Sequence, residues 1–174
     1  MVSDAALVAA LREHGVRYFT ADPDETQPSH ETLSPQRLLS ELAQADSARV
    51  RHAIAALFLV KPELAPLVPE VVEALTDGAK GVLIEAYIAA VYLQRAWRTR
   101  LRRYFGEQPE LPPLWVDQLG LPSPDERFGR AGLAALHARQ RRGATARHGA
   151  YEQVALNLFG QLVAERGTSR SAAA

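Results

Sequence analysis

The sequence contains no cysteine among its 174 residues. This absence excludes disulfide bonds, zinc sites with thiolate ligands and catalysis by a cysteine nucleophile, and it fits a reducing compartment. The first residues also lack the basic start and the continuous apolar run that are typical of a secretory signal. We therefore expect a cytoplasmic protein.

Long apolar runs are missing as well. The most apolar stretch, residues 82–94, contains Glu85 and is shorter than the roughly 20 apolar residues of a membrane-spanning helix. We expect no transmembrane helix and no membrane partner. With 47% hydrophobic and 23% charged residues, the composition favours one globular domain over residues 1–174 that needs no disulfide or metal for stability.

Lysine is scarce, because 18 of the 20 basic residues are arginines. The formal net charge of zero hides an uneven distribution, with a net charge of −6 in residues 1–90 and of +6 in residues 91–174. Frequent arginine beside frequent alanine often reflects a GC-rich genome. Arginine content alone is therefore poor evidence for nucleic-acid binding, and only the placement of the arginines is informative.

Cap residues and apolar periodicity predict one helix before an acidic linker and another after it. Ser3 begins a short helix that ends at Gly15. Ser34 followed by a proline predicts a second helix over residues 35–44. Between them, residues 21–34 combine prolines, acids and small polar residues without periodicity, which predicts a mobile linker.

A third helix is predicted from Asp46, as its N-cap, to Val60, because Pro62 prevents its continuation. A short turn and a fourth helix over residues 69–75 follow. This helical pair is similar to one hairpin of a HEAT-type solenoid, but no second copy of the pattern occurs in the chain.

The longest periodic segment, about residues 79–105, predicts a long central helix. Its first half is apolar on all sides, which is typical of a helix inside a core, whereas its second half has an aromatic side and a basic side. Residues 107–124 contain five prolines and predict a long connection with one short packed helix.

The last part of the chain predicts two further helices. Ser123-Pro124-Asp125-Glu126 matches a capping box with proline at the first helical position. A final helix is expected over residues 147–165, ending at Gly167, and residues 168–174 are expected to form a disordered tail. The sequence thus predicts an all-α protein, a single irregular bundle of six to eight helices.

Two arginine clusters are the candidate binding surface. One lies within residues 95–103 and the other within residues 127–151, and neither segment contains an acidic residue. Such clusters can bind phosphate or an acidic protein face. The alternative is that the arginines complement helix carboxyl ends and pair with acids of the same domain. The candidate binding residues are Arg95, Arg98, Arg102, Arg103, Arg139, Arg141 and Arg142.

Histidine is the obvious candidate for general acid–base chemistry, but no two histidines are four positions apart, so we expect no metal and no cofactor. Arginine followed closely by histidine resembles the loose nuclease motif of the helical HEPN family. This resemblance implies an alternative, an RNA-cleaving or RNA-binding protein. Glu85 is expected to be a satisfied core carboxylate. The catalytic candidates of the alternative are Arg130, His137, Arg142 and His148.

Parts of the sequence resemble a family of uncharacterised bacterial helical proteins, over residues 35–165. The resemblance rests on the strings Glu85-Ala-Tyr-Ile-Ala-Ala-Val-Tyr-Leu-Gln-Arg-Ala-Trp, Leu121-Pro-Ser-Pro-Asp-Glu-Arg-Phe-Gly and Tyr151-Glu-Gln-Val-Ala-Leu-Asn-Leu-Phe. Members of that family are encoded beside small nucleotidyltransferases, in pairs arranged like toxin–antitoxin operons. The acidic linker and the basic turn at residues 139–147 depart from the family pattern.

The resemblance implies an antitoxin-like or accessory partner of a nucleotidyltransferase, and it implies no catalytic residues. We expect a non-catalytic protein-binding module whose arginine-rich face docks on the acidic catalytic mouth of that enzyme. Nucleic acid is the less favoured partner.

Overall fold

The computed structural model describes residues 2–19, 33–142 and 150–171. Within these ranges the chain forms eight α-helices and no strand, so the predicted all-α bundle is confirmed. None of the described helices is both long enough and apolar enough to cross a membrane. The helices are α1 (Asp4–Glu13), α2 (Pro35–Gln44), α3 (Ala48–Val60), α4 (Val68–Ala74), α5 (Asp77–Ala96), α6 (Arg98–Phe105), α7 (Arg130–Arg142) and α8 (Ala150–Ser171).

Serine caps fix the starts of the first three helices. The side chains of Ser3, Ser34 and Ser47 each accept a hydrogen bond from the backbone N–H three residues further on. The predicted Asp46 cap of α3 is wrong by one residue, because the Ser47 hydroxyl reaches the Val50 N–H at 3.4 Å. Apart from residues 33 and 34, the predicted acidic linker lies outside the described residues.

Helix α5 is the centre of the bundle and contacts α2, α3, α4, α6, α7 and α8. Residues 86–93 on this helix are fully buried. A helix that is apolar on all sides needs neighbours on all sides, and here the other helices provide them. The predicted position of this segment in the core is confirmed.

The prediction of one helix over residues 79–105 is wrong, because the chain changes direction at Trp97. This residue has φ −113° and ψ 17°, so α5 ends before it and α6 begins after it. Its indole packs on the Phe159 ring of α8, with the ring centroids 5.3 Å apart. Packing against a distant helix favours this break, and helical periodicity carries no signal for it.

The predicted HEAT-type hairpin is also wrong. Residues Pro62–Leu67 form a 3-10 turn after α3, and α4 then packs on α2 and α5. Helix α3 lies against α5 and α8 instead. The reason is burial, because residues 53–59 of α3 are fully buried and a seven-residue α4 is too small to cover them.

The connection between α6 and α7 has no α-helix, in contrast to the short packed helix expected there. Residues 114–120 form successive turns, and Trp115 has φ 61°, a conformation that ends a right-handed helix. The side chain of Gln94 on α5 holds the connection. It accepts a hydrogen bond from the Leu111 N–H at 2.8 Å and donates one to the Pro109 carbonyl at 3.0 Å.

Two buried tyrosines of α5 hold the same connection. The Tyr87 hydroxyl donates to the Pro112 carbonyl and the Tyr92 hydroxyl to the Pro122 carbonyl, each at 2.8 Å. Burial raises the pKa of Tyr87, and burial together with the Asp117 carboxylate raises the pKa of Tyr92 to about 12. Both phenols therefore stay protonated as donors beyond about pH 10, where an exposed tyrosine ionises.

The predicted helix start at the Ser123 capping box is wrong, because α7 begins only at Arg130. Residues 127–129 intervene with φ angles of 49°, 54° and 78°, which belong to the left-handed region. Gly129 lies so close to α5 that a Cβ would overlap the carbonyl oxygen of Tyr92. This close approach to α5 sets the helix start.

Helix α8 runs to Ser171, past the end predicted at Gly167. Residues 168–171 of the predicted disordered tail are therefore helical, and residues 172–174 lie outside the described residues. A glycine inside a helix costs only about 1 kcal/mol, which the neighbouring helix-forming residues offset. The predicted buried face is confirmed for Tyr151, Val154, Ala155, Leu158 and Phe159.

Candidate functional site

The first arginine cluster is largely engaged by acidic residues of the connection that follows it. The Arg95 guanidinium lies 3.0 Å from the Glu110 carboxylate and 3.2 Å from that of Asp125, and the Arg95 side chain is only 14% exposed. The further ion pairs of this cluster are Arg98–Glu110 at 3.6 Å and Arg102–Glu107 at 2.6 Å.

For Arg95, Arg98 and Arg102 the structure therefore matches the alternative in which arginines pair with acids of the same domain. Exposed ion pairs contribute about 0–1 kcal/mol each, but they cancel the charge that an acidic partner would need. Arg103 differs, because it is exposed and makes no ion pair within the described part of the chain. Its role in binding stays a prediction.

The second arginine cluster is described in part. Arg127, Arg130 and Arg139 are exposed and form no ion pair with any described carboxylate. The side chains of Arg141 and Arg142, and the whole of residues 143–149 with His148, lie outside the described residues. The second cluster therefore stays a predicted binding surface.

His137 is one of the two histidines of the nuclease alternative, and its environment does not suit that role. Its ring nitrogen Nε2 is buried and has no hydrogen-bond partner among the described residues, whereas a general acid or base must reach the substrate. Arg130, its partner in the motif, is exposed at the start of α7. Across the described ranges, no three His, Asp or Glu side chains are close enough to hold a metal ion.

A cleft of about 1190 Å³ opens beside α3, α5 and α7, at the start of α8. We call it the arginine cleft, because the guanidinium-bearing side chains of Arg49, Arg51 and Arg139 line it. Its half-buried apolar lining comes from Val82, Ile84 and Leu119. The sequence analysis missed this site because α3 and α7 are far apart in the chain, and Arg49 and Arg51 belong to neither arginine cluster.

Glu85 lies on the α5 wall of the arginine cleft and is half-buried. Its Oε1 atom accepts hydrogen bonds from Gln140 Nε2 at 2.5 Å and from the Tyr151 hydroxyl at 3.1 Å. Burial raises the pKa of Tyr151 well above its usual value, and the Glu85 carboxylate raises it further. The prediction of a satisfied carboxylate is confirmed, but Glu85 lies at a cleft rather than deep in the core.

The two α3 arginines of the cleft are held without a carboxylate. Arg51 Nη1 donates to the carbonyls of Ala45 and Asp46, at 2.5 Å and 2.8 Å. The Arg49 guanidinium lies 4.9 Å from the centroid of the Phe19 ring. Neither arginine takes part in an ion pair with a described acidic side chain, so within the described ranges no carboxylate neutralises either charge.

The arginine cleft thus brings together three positive side chains and one carboxylate that already has two donors. Such a site attracts anions. Searches for similar proteins found no matching family model, no matching curated protein and no matching solved structure.

Proposed function

We propose that this chain is a non-catalytic protein-binding module, an antitoxin-like or accessory partner of a nucleotidyltransferase. In this proposal, the arginines of the cleft and of α7 hold an acidic surface of the partner. The sequence resemblance supports the class of partner, and the arginine cleft supports the mode of binding. Because nucleotidyltransferases use nucleoside triphosphates, the proposal places the pair in the cytoplasm.

The observation that carries the proposal is that, among the described residues, no carboxylate pairs with the arginines of the arginine cleft. Arg49, Arg51 and Arg139 have no described carboxylate within ion-pair distance, whereas Arg95, Arg98 and Arg102 do. Charged groups that meet complementary charges across an interface speed association and fix its register. The binding face therefore shifts from α6, where the sequence analysis placed much of it, to the cleft and α7.

Co-expression with the product of the neighbouring gene tests the proposal. We expect a nucleotidyltransferase that copurifies with this chain, and we expect Arg139→Glu to weaken the complex at least about tenfold, as the loss of a favourable charge contact of about 1.4 kcal/mol or more implies. The matched control is Arg102→Glu, because Arg102 already pairs with Glu107. A neighbouring product that is no nucleotidyltransferase or does not bind, or equal effects of the two variants, would overturn it.

Cleavage of RNA is the second candidate, and the buried Nε2 of His137 does not favour it. Incubation of the purified chain with RNA between about pH 6 and 8, the range in which histidine titrates, decides the matter. Cleavage that is lost in His137→Ala or in His148→Ala would replace the proposed function with a nuclease. RNA binding without cleavage would instead show a steep dependence on salt concentration.

A further inference from the structure

The lining of the arginine cleft has two chemical parts. The side chains of three arginines and the half-buried apolar side chains of Val82 and Ile84 line the cleft together. A ligand that is only an anion, such as phosphate, would leave the apolar lining in contact with water. The occupant that satisfies both parts carries carboxylates and apolar side chains together.

The volume of the cleft favours a polypeptide segment over a small molecule. At about 1190 Å³ it exceeds the roughly 300–1,000 Å³ of most small-molecule pockets. An α-helix with its side chains is about 10–12 Å wide and rises 1.5 Å per residue. Half of such a cylinder fills this volume over roughly 20–30 Å, which corresponds to about 14–20 residues.

The α5 wall of the cleft has room for a close approach. Gly78 and Gly81 line it, and a Cβ at either position would meet no atom within 4 Å. Glycine inside a helix is unfavourable relative to alanine, and the packing of this chain does not require it here. The missing side chains leave space in which another helix can lie at the short interaxial distance of packed helices.

We infer that the arginine cleft binds an acidic amphipathic helix of another protein, with its apolar face on Val82 and Ile84 and its carboxylates on Arg49, Arg51 and Arg139. This is the helix-in-groove mode of recognition. The Glu85 carboxylate in this cleft accepts hydrogen bonds from Gln140 and Tyr151, and the three arginines outnumber it. The inference rests on the proposed function and specifies the segment that the partner supplies.

A synthetic peptide tests the inference directly. The probe is a labelled peptide of about 16 residues with leucine at the helical spacing i, i+3, i+4, i+7 and glutamate on the other side. Its partner probe carries lysine in place of glutamate. Fluorescence anisotropy with the full chain should show binding of the glutamate peptide at least about tenfold tighter than that of the lysine peptide, with a gain of helicity in circular dichroism.

Two leucine substitutions provide a matched pair of variants. Gly81→Leu fills the cleft, whereas Gly160→Leu adds the same side chain to α8, where a Cβ also meets no atom within 4 Å. We expect Gly81→Leu to weaken peptide binding at least about tenfold without lowering the melting temperature, because leucine is a better helix former than glycine, and Gly160→Leu to leave binding unchanged. No binding, equal binding of both peptides, equal effects of the two variants or displacement by inorganic phosphate would overturn the inference.

The same variants separate this inference from the proposed function. A nucleotidyltransferase that binds the chain with equal affinity in wild type and Gly81→Leu would overturn the cleft as the docking site and leave the proposed function standing. Binding of the peptide without binding of the neighbouring gene product would overturn the proposed function and leave the cleft as a helix-binding site.

Discussion

Gly129 lies where the chain turns into α7 against the backbone of α5. It has φ 78°, and a Cβ at this position would overlap the carbonyl oxygen of Tyr92. Replacement of Gly129 by alanine therefore requires an L-residue in the left-handed region and a displacement of the turn from α5. The turn is held in place by the Asp125–Arg95 ion pair at 3.2 Å, so the displacement strains its neighbours.

The cost of Gly129→Ala follows from these two requirements. The left-handed conformation costs an L-residue about 1–2 kcal/mol, and the added volume in a packed contact costs about 1–3 kcal/mol. We expect a loss of about 2–5 kcal/mol in the free energy of unfolding. For a chain of 174 residues, this corresponds to a melting temperature lowered by about 4–20 °C, measured by calorimetry together with urea unfolding.

Gly160→Ala is the matched control, because a Cβ on that residue of α8 meets no atom within 4 Å. Alanine is the better helix former, so this variant should gain about 0.5–1 kcal/mol. The two glycine-to-alanine changes should thus have opposite signs. A Gly129→Ala chain within about 0.5 kcal/mol of the wild type, the usual range of a neutral surface substitution, would refute the close approach of this turn to α5.

Phe128 has φ 54° and is 77% exposed. Because asparagine tolerates the left-handed region better, Phe128→Asn should stabilise the chain by about 1 kcal/mol. A urea unfolding midpoint below that of the wild type would contradict this. Gln94→Ala should lower the free energy of unfolding by about 2–4 kcal/mol, measured in urea, because the buried Leu111 N–H loses its acceptor and a cavity forms. A loss under about 1 kcal/mol would show that Gln94 does not hold the connection. The raised pKa values of Tyr87 and Tyr92 predict full stability below about pH 10 and a loss above it, because the unfolded phenols ionise there while the folded ones stay protonated. Each should contribute a loss of about 1.4 kcal/mol per pH unit, so a free energy of unfolding that stays flat from about pH 9 to 11 would refute their burial.

Local signals predicted many of the helices well. The Ser34 cap, the following proline and the apolar spacing predicted α2 over residues 35–44, and the structure has these same bounds. The fully apolar segment at residues 86–93 was predicted as core and is buried. Such signals act over three or four residues, so they are readable without knowledge of the neighbouring helices.

Predictions failed where distant contacts override local preference. The helix break at Trp97 depends on the Phe159 ring of α8. The late start of α7 depends on the contact between Gly129 and α5. The sequence favours a continuous helix through Trp97 and an earlier start of α7. In both places the energy of packing against another element exceeds the roughly 1 kcal/mol that local propensity supplies.

The arginines show the same division between local and tertiary information. The sequence places the candidate cluster at residues 95–103, but the acids at Glu110 and Asp125 reach Arg95 only because Gln94 folds the connection back onto α5. The arginine cleft is invisible in the sequence for the converse reason. Its arginines lie on α3 and α7, and although the sequence indicates the α7 arginines as candidates, nothing in it places α3 beside them.

The sequence by itself determined an all-helical chain, the capped starts of α1 and α2 and the buried centre of α5, because capping and apolar spacing are properties of neighbouring residues. Only the tertiary structure decided which of the described arginines form ion pairs. An ion pair needs two side chains within about 4 Å, and that distance depends on how α3, α7 and the α6–α7 connection pack around α5.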